Sequence, residues 1–261
     1  MPRRLAIVIP CAAGSPWILP LLPSLGEAGA VFVVSEAPPP GGRSVVVPAD
    51  AGFATRANAG IRAAGDAGFE RVLLLNDDTR PEPGSLALLA SASGIVGAVL
   101  RDWEGEGVQQ AGVDVSRRSG RVRARTRAPS QEAERVDAVS GASMAFPLAT
   151  WQRLGGFDEG YRFYFEDIDF CLRSHEPVRV LRDAVVRHRG GGTRSHRSAD
   201  AAFHLGRSHA RFARSLGGGV AREGGRLGIV AAAGTAWTLR SVGPRGLIPL
   251  WRGLGEGART R

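Results

Sequence analysis

The feature that most restricts how this chain can fold is a series of short apolar runs rich in β-branched residues. The runs lie at residues 5–9, 31–34, 45–47, 72–75 and 95–100. Runs of this length without polar alternation are typical of strands buried on both faces. Helix-compatible segments lie between them at residues 55–64 and 84–91. The alternation predicts an α/β fold with a mostly parallel, doubly wound sheet, in which ligands bind beyond the carboxyl ends of the strands.

The second part of the chain is less regular. Residues 101–135 lack apolar periodicity and contain SRRSGRVRARTRAPS, which predicts a mobile loop or insertion. Beyond it, apolar patterns predict a strand at residues 136–146 and a short helix at 148–154. Two further apolar pieces follow at 178–181 and 185–186, and a helical pattern covers 199–216. We expect one domain over residues 1–198, with halves at 1–100 and 101–198, and a helical extension over 199–261.

Net charge and cysteine content say more about the cellular compartment of the protein than about its function. The net charge of +9 is carried by arginine alone, since the 34 lysine-plus-arginine residues include no lysine. With 36 glycines and 16 prolines, this usage is what a GC-rich genome produces, so the charge by itself does not separate a diphosphate, an anionic membrane or nucleic acid as partner. Cys11 and Cys171 form no zinc spacing or disulfide framework, which favours a reducing cytoplasm.

The apolar stretch at residues 227–239 is the longest in the chain. Its 13 residues fall short of the ~20 that a bilayer-spanning helix requires. Trp237, Trp251 and nearby arginines are compatible with a helix at an anionic membrane surface, or equally with a helix packed on the core. We therefore expect a cytoplasmic protein, with peripheral contact to the inner face of the cell membrane as an open alternative.

An acidic cluster follows the fourth apolar run. Asn76, Asp77 and Asp78 come directly after VLLL, where carboxylates repel one another unless a cation or hydrogen-bond donors compensate. Mg²⁺ or Mn²⁺ would answer that need, and such ions usually complete their shell with phosphate oxygens and water. The alternative, in which Asn76 and Asp77 cap a turn, explains this segment equally well.

A second acidic cluster lies in FYFEDIDFCLR. Phe165, Ile168 and Leu172 follow helical spacing, which predicts a helix beginning near Glu166 or Asp167. Carboxylates are favoured at a helix N-terminus in any case, and an i,i+4 pair with the following arginine would account for Asp169. Aromatic neighbours could also raise the pKa of an acid here toward that of a general base. His188 ends DAVVRH before a glycine run, and its imidazole suits a manganese ligand or an ordinary hydrogen-bonded histidine.

Taken together, these motifs resemble glycosyltransferase family 2, the inverting group that includes bacterial rhamnosyltransferases and other cell-wall or polysaccharide enzymes. The resemblance covers residues 5–188 and rests on the order of ADAGFATRANAGI, LLLNDDTRPEPGSL, SGASMAF and GGFDEGYRFYFEDIDFCLR. It implies a GT-A fold, a nucleotide-diphosphate sugar donor, a glycan or lipid-linked acceptor, and a hexosyltransferase reaction with inversion, in which the sugar transferred can be rhamnose.

The resemblance also implies roles for individual residues. Asp167 would be the catalytic base, supported by Glu166 and Asp169, while Asp78 and His188 would bind Mg²⁺ or Mn²⁺. The positions that would bind the donor lie in four separate stretches: Pro10, Glu36, Asp50, Arg56, Asn58, Asn76 and Asp77. The acceptor side would include Gly141, Asp158 and Glu159.

One stretch departs from the family pattern. After the second strand the family usually has an aspartate in a VDNGS-like turn that recognises the base, whereas this chain has VVSEAPPP, with Glu36 as the substitute. Two other function classes stay open: a nucleotidyltransferase, for which PCAAGSPW is a poor phosphate loop, and a non-catalytic carbohydrate or nucleic-acid binding protein. The latter leaves the acidic pairs unexplained, so we do not expect nucleic acid as a partner.

Overall fold

The computed structural model describes residues 5–26, 29–39, 41–190 and 198–259. Its strands are, in chain order, β1 (Leu5–Pro10), β2 (Ala30–Ser35), β3 (Arg43–Val46), β4 (Arg71–Leu75), β5 (Thr79–Pro81), β6 (Ile95–Asp102), β7 (Val108–Gln110), β8 (Val113–Val115), β9 (Val122–Ala124), β10 (Ala133–Val136), β11 (Ser143–Pro147) and β12 (Val178–His188). Its helices are α1 (Ile18–Leu25), α2 (Phe53–Asp66), α3 (Ser85–Ser91), α4 (Leu148–Leu154), α5 (Glu166–Ser174), α6 (Ala199–Ser215), α7 (Val220–Ser241) and α8 (Leu247–Arg259), with a 3₁₀ turn at Pro244–Gly246.

The main sheet has the strand order β10-β12-β6-β11-β4-β1-β2-β3 in the described ranges. Strands β3, β2, β1 and β4 are parallel, and β11 runs antiparallel between β4 and β6. β12 is parallel to β6, and its end pairs antiparallel with β5. This arrangement confirms the predicted α/β class. The reversal at β11 places the residues after β4 next to the turn that precedes β11.

The centre of the sheet is buried because both of its faces are apolar. All of β1 and β4 and most of β6 and β11 are buried, and Ile18, Leu21 and Leu25 of α1 pack on the same core. Arg71 lies inside this core, where Nε and Nη1 donate to the carbonyl oxygens of Leu89 and Gly94. The predicted strands and helices of the first hundred residues are all present.

Residues 101–135, predicted to be a mobile loop or an insertion, contain short strands, so they are not a loop without secondary structure. The segment contains β7, β8, β9 and the start of β10. Arg125 holds it together through ion pairs with Asp114 at 2.6 Å and Glu134 at 2.7 Å. β8 and β9 are only three residues long, so the alternation of apolar and polar residues within them is too short to predict a strand. The predicted strand at 136–146 is likewise interrupted: it is divided into β10 and β11, with an isolated bridge from Ala138 to Val113 between them.

The chain divides into two compact units. The first comprises residues 1–114, 124–159 and 167–193, and the second comprises residues 115–123, 160–166 and 194–261. In the second unit α6 packs against both α7 and α8 around Ala202, Ala210, Val230 and Leu250. No helix in the described part of the chain has the length and apolar composition to cross a membrane.

Candidate active site

The metal-binding residues predicted from the sequence come together at the carboxyl end of β4. β12 pairs with β5 so that His188 lies opposite Thr79, one residue beyond Asp78. Asp78 Oδ1 is 3.4 Å from His188 Nε2, and the two side chains are only 4% and 14% exposed. The backbone amide of Arg189 donates to the Asp78 carbonyl at 3.1 Å, which fixes the end of β12 against this site. A carboxylate and an imidazole therefore face each other in a largely dehydrated position.

Gln109 orients the imidazole of His188 through two hydrogen bonds. Its Nε2 donates to the His188 carbonyl oxygen at 2.8 Å, and a carbonyl only accepts, so the amide orientation is fixed. Gln109 Oε1 then lies 3.1 Å from His188 Nδ1 and accepts its proton. Nε2, the other ring nitrogen, faces Asp78, as in metal-binding histidines whose remaining nitrogen is held by an outer partner.

This arrangement suits a divalent cation. Asp78 and His188 offer one oxygen and one nitrogen ligand, and the Oδ1 atom of Asn76 is buried with no hydrogen-bond donor among the described residues. In the ranges that the structure describes, no three His, Cys, Asp or Glu side chains gather as a complete metal cage. A two-ligand protein site is the arrangement in which phosphate and water oxygens supply the rest of the shell. Asp77, in contrast, accepts a hydrogen bond from Ser15 Oγ at 2.6 Å.

Asp167 is linked to this cluster by two backbone hydrogen bonds of the Gly141–Ala142 turn. The Asn76 amide donates to the Ala142 carbonyl at 3.2 Å, and the neighbouring Gly141 amide donates to Asp167 Oδ2 at 2.8 Å. The Ile168 amide donates to Asp167 Oδ1 at 2.8 Å. Burial raises the pKa of the Asp167 carboxyl, and these amides oppose the effect without cancelling it. Asp167 as a residue is half-buried, and raised basicity is the property that a general base requires.

The remaining acids of the second cluster have distinct environments. Asp169 is buried and accepts from Arg173 Nε at 2.6 Å, which confirms the predicted i,i+4 pair. Arg173 also donates to the carbonyl oxygens of Leu154 and Gly156, so it joins α5 to the end of α4. Glu166 is the first residue of α5 and is buried. It follows Tyr164 and Phe165, whose φ angles of 69° and 72° are unusual for bulky side chains.

The predicted donor stretch is organised by Arg56. Its guanidinium donates to Glu36 at 2.6 Å and to the carbonyl oxygens of Cys11, Ala51 and Ala49. Burial acts to raise the pKa of the Glu36 carboxyl, but Arg56 and two backbone amides hold it below its usual value. The pair thus joins the ends of β1, where Pro10 is the last residue, and β2 to the loop before α2. Asp50 lies exposed in that loop.

Asn58 connects the donor and acceptor stretches inside the first unit. Its Nδ2 donates to the Phe157 carbonyl and to Glu159, both at 2.9 Å. Its Oδ1 accepts from Trp151 Nε1 at 3.0 Å and from the Phe157 amide at 2.9 Å. All four hydrogen-bonding positions of the amide are therefore used within the protein. Glu159 is exposed and also accepts from Thr55, while Asp158 beside it is half-buried.

Comparisons with known proteins identify solved structures with a similar fold. No family model matches the chain, and no curated protein matches it. The mannosyltransferase PcManGT from Pyrobaculum calidifontis, solved with GDP-Man and Mn²⁺, is 17% identical over 96% of this chain and 75% of its own, with a TM-score of 0.59. TarS from S. aureus, solved with UDP-GlcNAc, is 16% identical over 88% of this chain and 71% of its own, with a TM-score of 0.55. GalNAc-T7, solved with UDP, GalNAc and Mn²⁺, is 13% identical over 71% of this chain and 43% of its own, with a TM-score of 0.56.

The chain has a GT-A fold. It spans less than half the length of the GalNAc-T7 chain, and at these identities the likeness concerns the fold alone. Within this GT-A fold, the Asp78 and His188 pair and Asp167 lie along the edge formed by the ends of β4 and β12 and the turn before β11.

Several residues at this edge of the GT-A fold were not predicted from the sequence. Gln109 belongs to the segment predicted to be a loop or an insertion, and its partner His188 is 79 positions away. Trp17 and Trp103 both contact the Arg189 guanidinium, with each ring centre 4.1 Å from Arg189 Cζ. The only sequence signal for them is indirect, since Arg189 directly follows His188 and Trp103 follows the end of β6.

Proposed function

We propose that this protein is a metal-dependent glycosyltransferase that moves a sugar from a nucleotide-diphosphate donor to an acceptor hydroxyl with inversion. The observation that carries the proposal is the joint placement of two groups. The Asp78 and His188 pair suits a cation that binds a diphosphate, and Asp167 is a half-buried carboxylate with a raised pKa that is linked to Asn76 through the Gly141–Ala142 backbone. The nucleotide-sugar complexes of structures with the same fold support it.

In the proposed reaction, a single displacement at the anomeric carbon, Asp167 acts as the general base. The acceptor oxygen attacks the anomeric carbon, and Asp167 takes the hydroxyl proton as the bond to the diphosphate breaks. The amides of Gly141 and Ile168 hold the carboxylate in one orientation, so the base is positioned before the substrate arrives. A general base in such a position typically contributes about 10²- to 10⁴-fold in rate.

Asp78 and His188 would hold Mg²⁺ or Mn²⁺, with Asn76 and Asp77 beside them. When bound, the cation would supply positive charge to the departing diphosphate. Ser15 orients Asp77, and Gln109 orients His188. Both supporting residues thus hydrogen-bond to site residues and need no contact with the substrate. We assign Arg56, Glu36 and Asn58 a positioning role in the donor stretch, because their polar atoms bind one another and the surrounding backbone.

Gly141, Asp158 and Glu159 lie on the acceptor side in this proposal, and Pro10 and Asp50 on the donor side. The resemblance to glycosyltransferase family 2 places rhamnose among the candidate sugars and a glycan or lipid-linked glycan among the candidate acceptors. Manganese is the first ion to test, because one of the two protein ligands is an imidazole.

The proposal is tested by binding and transfer together. UDP-, GDP- and dTDP-sugars are screened for thermal stabilisation of the protein with and without Mn²⁺, and the stabilising donor is used for transfer assays. Asp167→Asn is expected to keep donor binding and to lose at least about 10²-fold in transfer rate. Asp66→Asn, an exposed position on α2, serves as the matched control. Normal transfer by folded Asp167→Asn would show that another residue is the base.

The competing function classes give different results in the same assays. A nucleotidyltransferase would be stabilised by nucleoside triphosphates and release pyrophosphate with a sugar phosphate as co-substrate. A non-catalytic binding protein would bind glycan or nucleic acid without metal and leave every nucleotide sugar intact. Metal-dependent consumption of one nucleotide sugar, with transfer to an acceptor, is the result that the proposed function requires.

We also propose that α7 and α8 contact an anionic membrane, where a lipid-linked acceptor would reside. The solvent side of these helices carries exposed apolar side chains, among them Leu239, Ile248 and Trp251. Arg240 and Arg252 are exposed next to them. Exposed apolar residues flanked by arginine are typical of helices that lie in the membrane interface.

A further inference from the structure

Three side chains form a stack beside the proposed metal site. The guanidinium of Arg189 lies over the rings of both Trp17 and Trp103, with Cζ 4.1 Å from each ring centre. Arg80 approaches the Trp103 ring at 4.8 Å. Flat stacking on aromatic faces is a favoured arrangement for arginine and leaves its N–H groups directed outward in the plane.

Each member of the stack is tied to the site through its backbone neighbour. Arg189 follows His188, and its amide donates to the Asp78 carbonyl. Trp17 follows the Ser15 loop, and the Ser15 hydroxyl both accepts from the Trp17 amide at 3.3 Å and donates to Asp77. Trp103 follows Asp102, which is paired with His188 in the sheet. The stack therefore belongs to the same edge as the Asp78 and His188 pair.

The positive charge of Arg189 is exposed to solvent, whereas that of a neighbouring arginine is neutralised by carboxylates. Two residues earlier on β12, Arg187 forms ion pairs with Glu82 at 2.9 Å and Glu106 at 3.2 Å. Arg189 is exposed and forms no ion pair with a carboxylate in the described ranges. The Nε1 atom of Trp17 is buried and likewise has no acceptor among the described residues. The edge thus offers hydrogen-bond donors for which the described protein supplies no acceptor.

We infer that the stacked Arg189 binds the diphosphate of the nucleotide donor, with Trp17 and Trp103 as positioning residues that hold its guanidinium in place. This inference rests on the proposed function. A planar guanidinium can bind two phosphate oxygens at once, and a cation held on rigid rings loses little freedom when it does so. Arg189 would then favour the diphosphate product of the displacement as well as the donor.

The test compares nucleoside diphosphates with monophosphates. UDP, GDP and dTDP, and the corresponding monophosphates, are titrated calorimetrically into the full-length protein with Mn²⁺. Arg189→Ala is expected to weaken binding of the preferred diphosphate about 10- to 100-fold and to leave the monophosphate affinity nearly unchanged. Arg189→Lys should restore only part of the affinity, because lysine lacks the planar fork. Arg62→Ala, an exposed arginine on α2, is the matched control and should bind like wild type.

A second set of variants tests whether Trp103 positions the guanidinium of Arg189. Trp103→Ala should weaken diphosphate binding, and Trp103→Phe should restore most of it, since a phenyl ring still offers a face to the guanidinium. Equal diphosphate affinities for wild type and Arg189→Ala would overturn the inference, as would an equal loss for mono- and diphosphate. Wild-type protein that binds no nucleoside diphosphate would instead count against the proposed function, and the inference would fall with it.

Discussion

At the scale of single residues, Asp167 joins two properties that usually exclude each other. Its surroundings raise the pKa of the carboxyl through burial, yet the residue is only half-buried. The base must be ionised to act, so activity falls as the pH drops through the raised pKa. We expect the acidic limb of kcat/KM to lie above the ordinary aspartate value of about 3.9. Transfer assays across the acidic range measure it, and a rate that stays constant down to about pH 4 would contradict the assignment.

Gln109 makes a second prediction at this scale. Gln109→Leu removes the acceptor that holds the Nδ1 proton of His188, so the imidazole can rotate or change tautomer. Loss of such an outer partner typically weakens metal affinity about 10- to 100-fold. Calorimetric titration with Mn²⁺ measures the change. Gln110→Leu, next to it on β7, is the control, and an equal effect of both variants would show that only the strand had been disturbed.

The chemical identity of these residues was predictable, but their orientation was not. Asp78, His188 and Asp167 follow from motifs that are local in the sequence. The partners that set their chemistry come from elsewhere: Gln109 lies 79 positions from His188, and Gly141 lies 26 positions from Asp167. A hydrogen bond between distant positions leaves no trace in the composition or periodicity of either segment.

At the scale of helices and strands, the contact between α6 and α8 depends on glycine. A Cβ atom added at Gly253 would collide with the Phe203 carbonyl oxygen, and one added at Gly206 would lie 2.6 Å from the Leu250 carbonyl oxygen. The two backbones therefore touch directly. Gly255, on the same helix, has open space where its Cβ would lie. Together these positions provide a matched pair of substitutions.

We expect Gly253→Ala to lower the free energy of unfolding by about 1–3 kcal/mol or more, because the added methyl forces the helices apart. Gly255→Ala should be neutral or stabilise by up to about 1 kcal/mol, since alanine favours a helix over glycine. Urea denaturation followed by helical circular dichroism compares the two. If both variants are equally stable, the close approach of α6 and α8 does not exist in solution.

Elements with an apolar period were predictable, and elements held by polar pairing were not. The helices α2, α3, α4 and α6 match the predicted segments within one to two residues, because their buried positions repeat at helical spacing. The strands β7 to β9 gave no such signal. The glycines of α8 were also uninformative, since a chain with 36 glycines gives no reason to single out those that meet another helix.

At the scale of the whole molecule, the distribution of charge matters more than its sum. The acids of α7 and α8 are engaged within the second unit, since Glu223 lies 3.8 Å from Arg214 and Glu256 lies 2.6 Å from Arg207. The exposed arginines of the same helices and their connection have no such compensation among the described residues: Arg222, Arg240, Arg245, Arg252 and Arg259. The solvent side of this unit is therefore positive and, at Ile248 and Trp251, apolar.

This surface predicts binding to anionic vesicles. Full-length protein should sediment with phosphatidylglycerol vesicles, bind phosphatidylcholine vesicles weakly, and dissociate as salt rises, because each arginine near an anionic surface contributes about 1 kcal/mol. Replacing Ile248 and Trp251 together with serine should reduce partitioning at least about tenfold, since burial of one large apolar side chain contributes about 1.5–3 kcal/mol. Serine at Leu19 and Val46, which are 60% and 58% exposed on α1 and β3, is the matched control. Equal partitioning of the two double variants would show that the arginines bind vesicles without insertion of Ile248 and Trp251. If the wild-type protein does not bind vesicles at all, the proposed contact with a membrane is wrong.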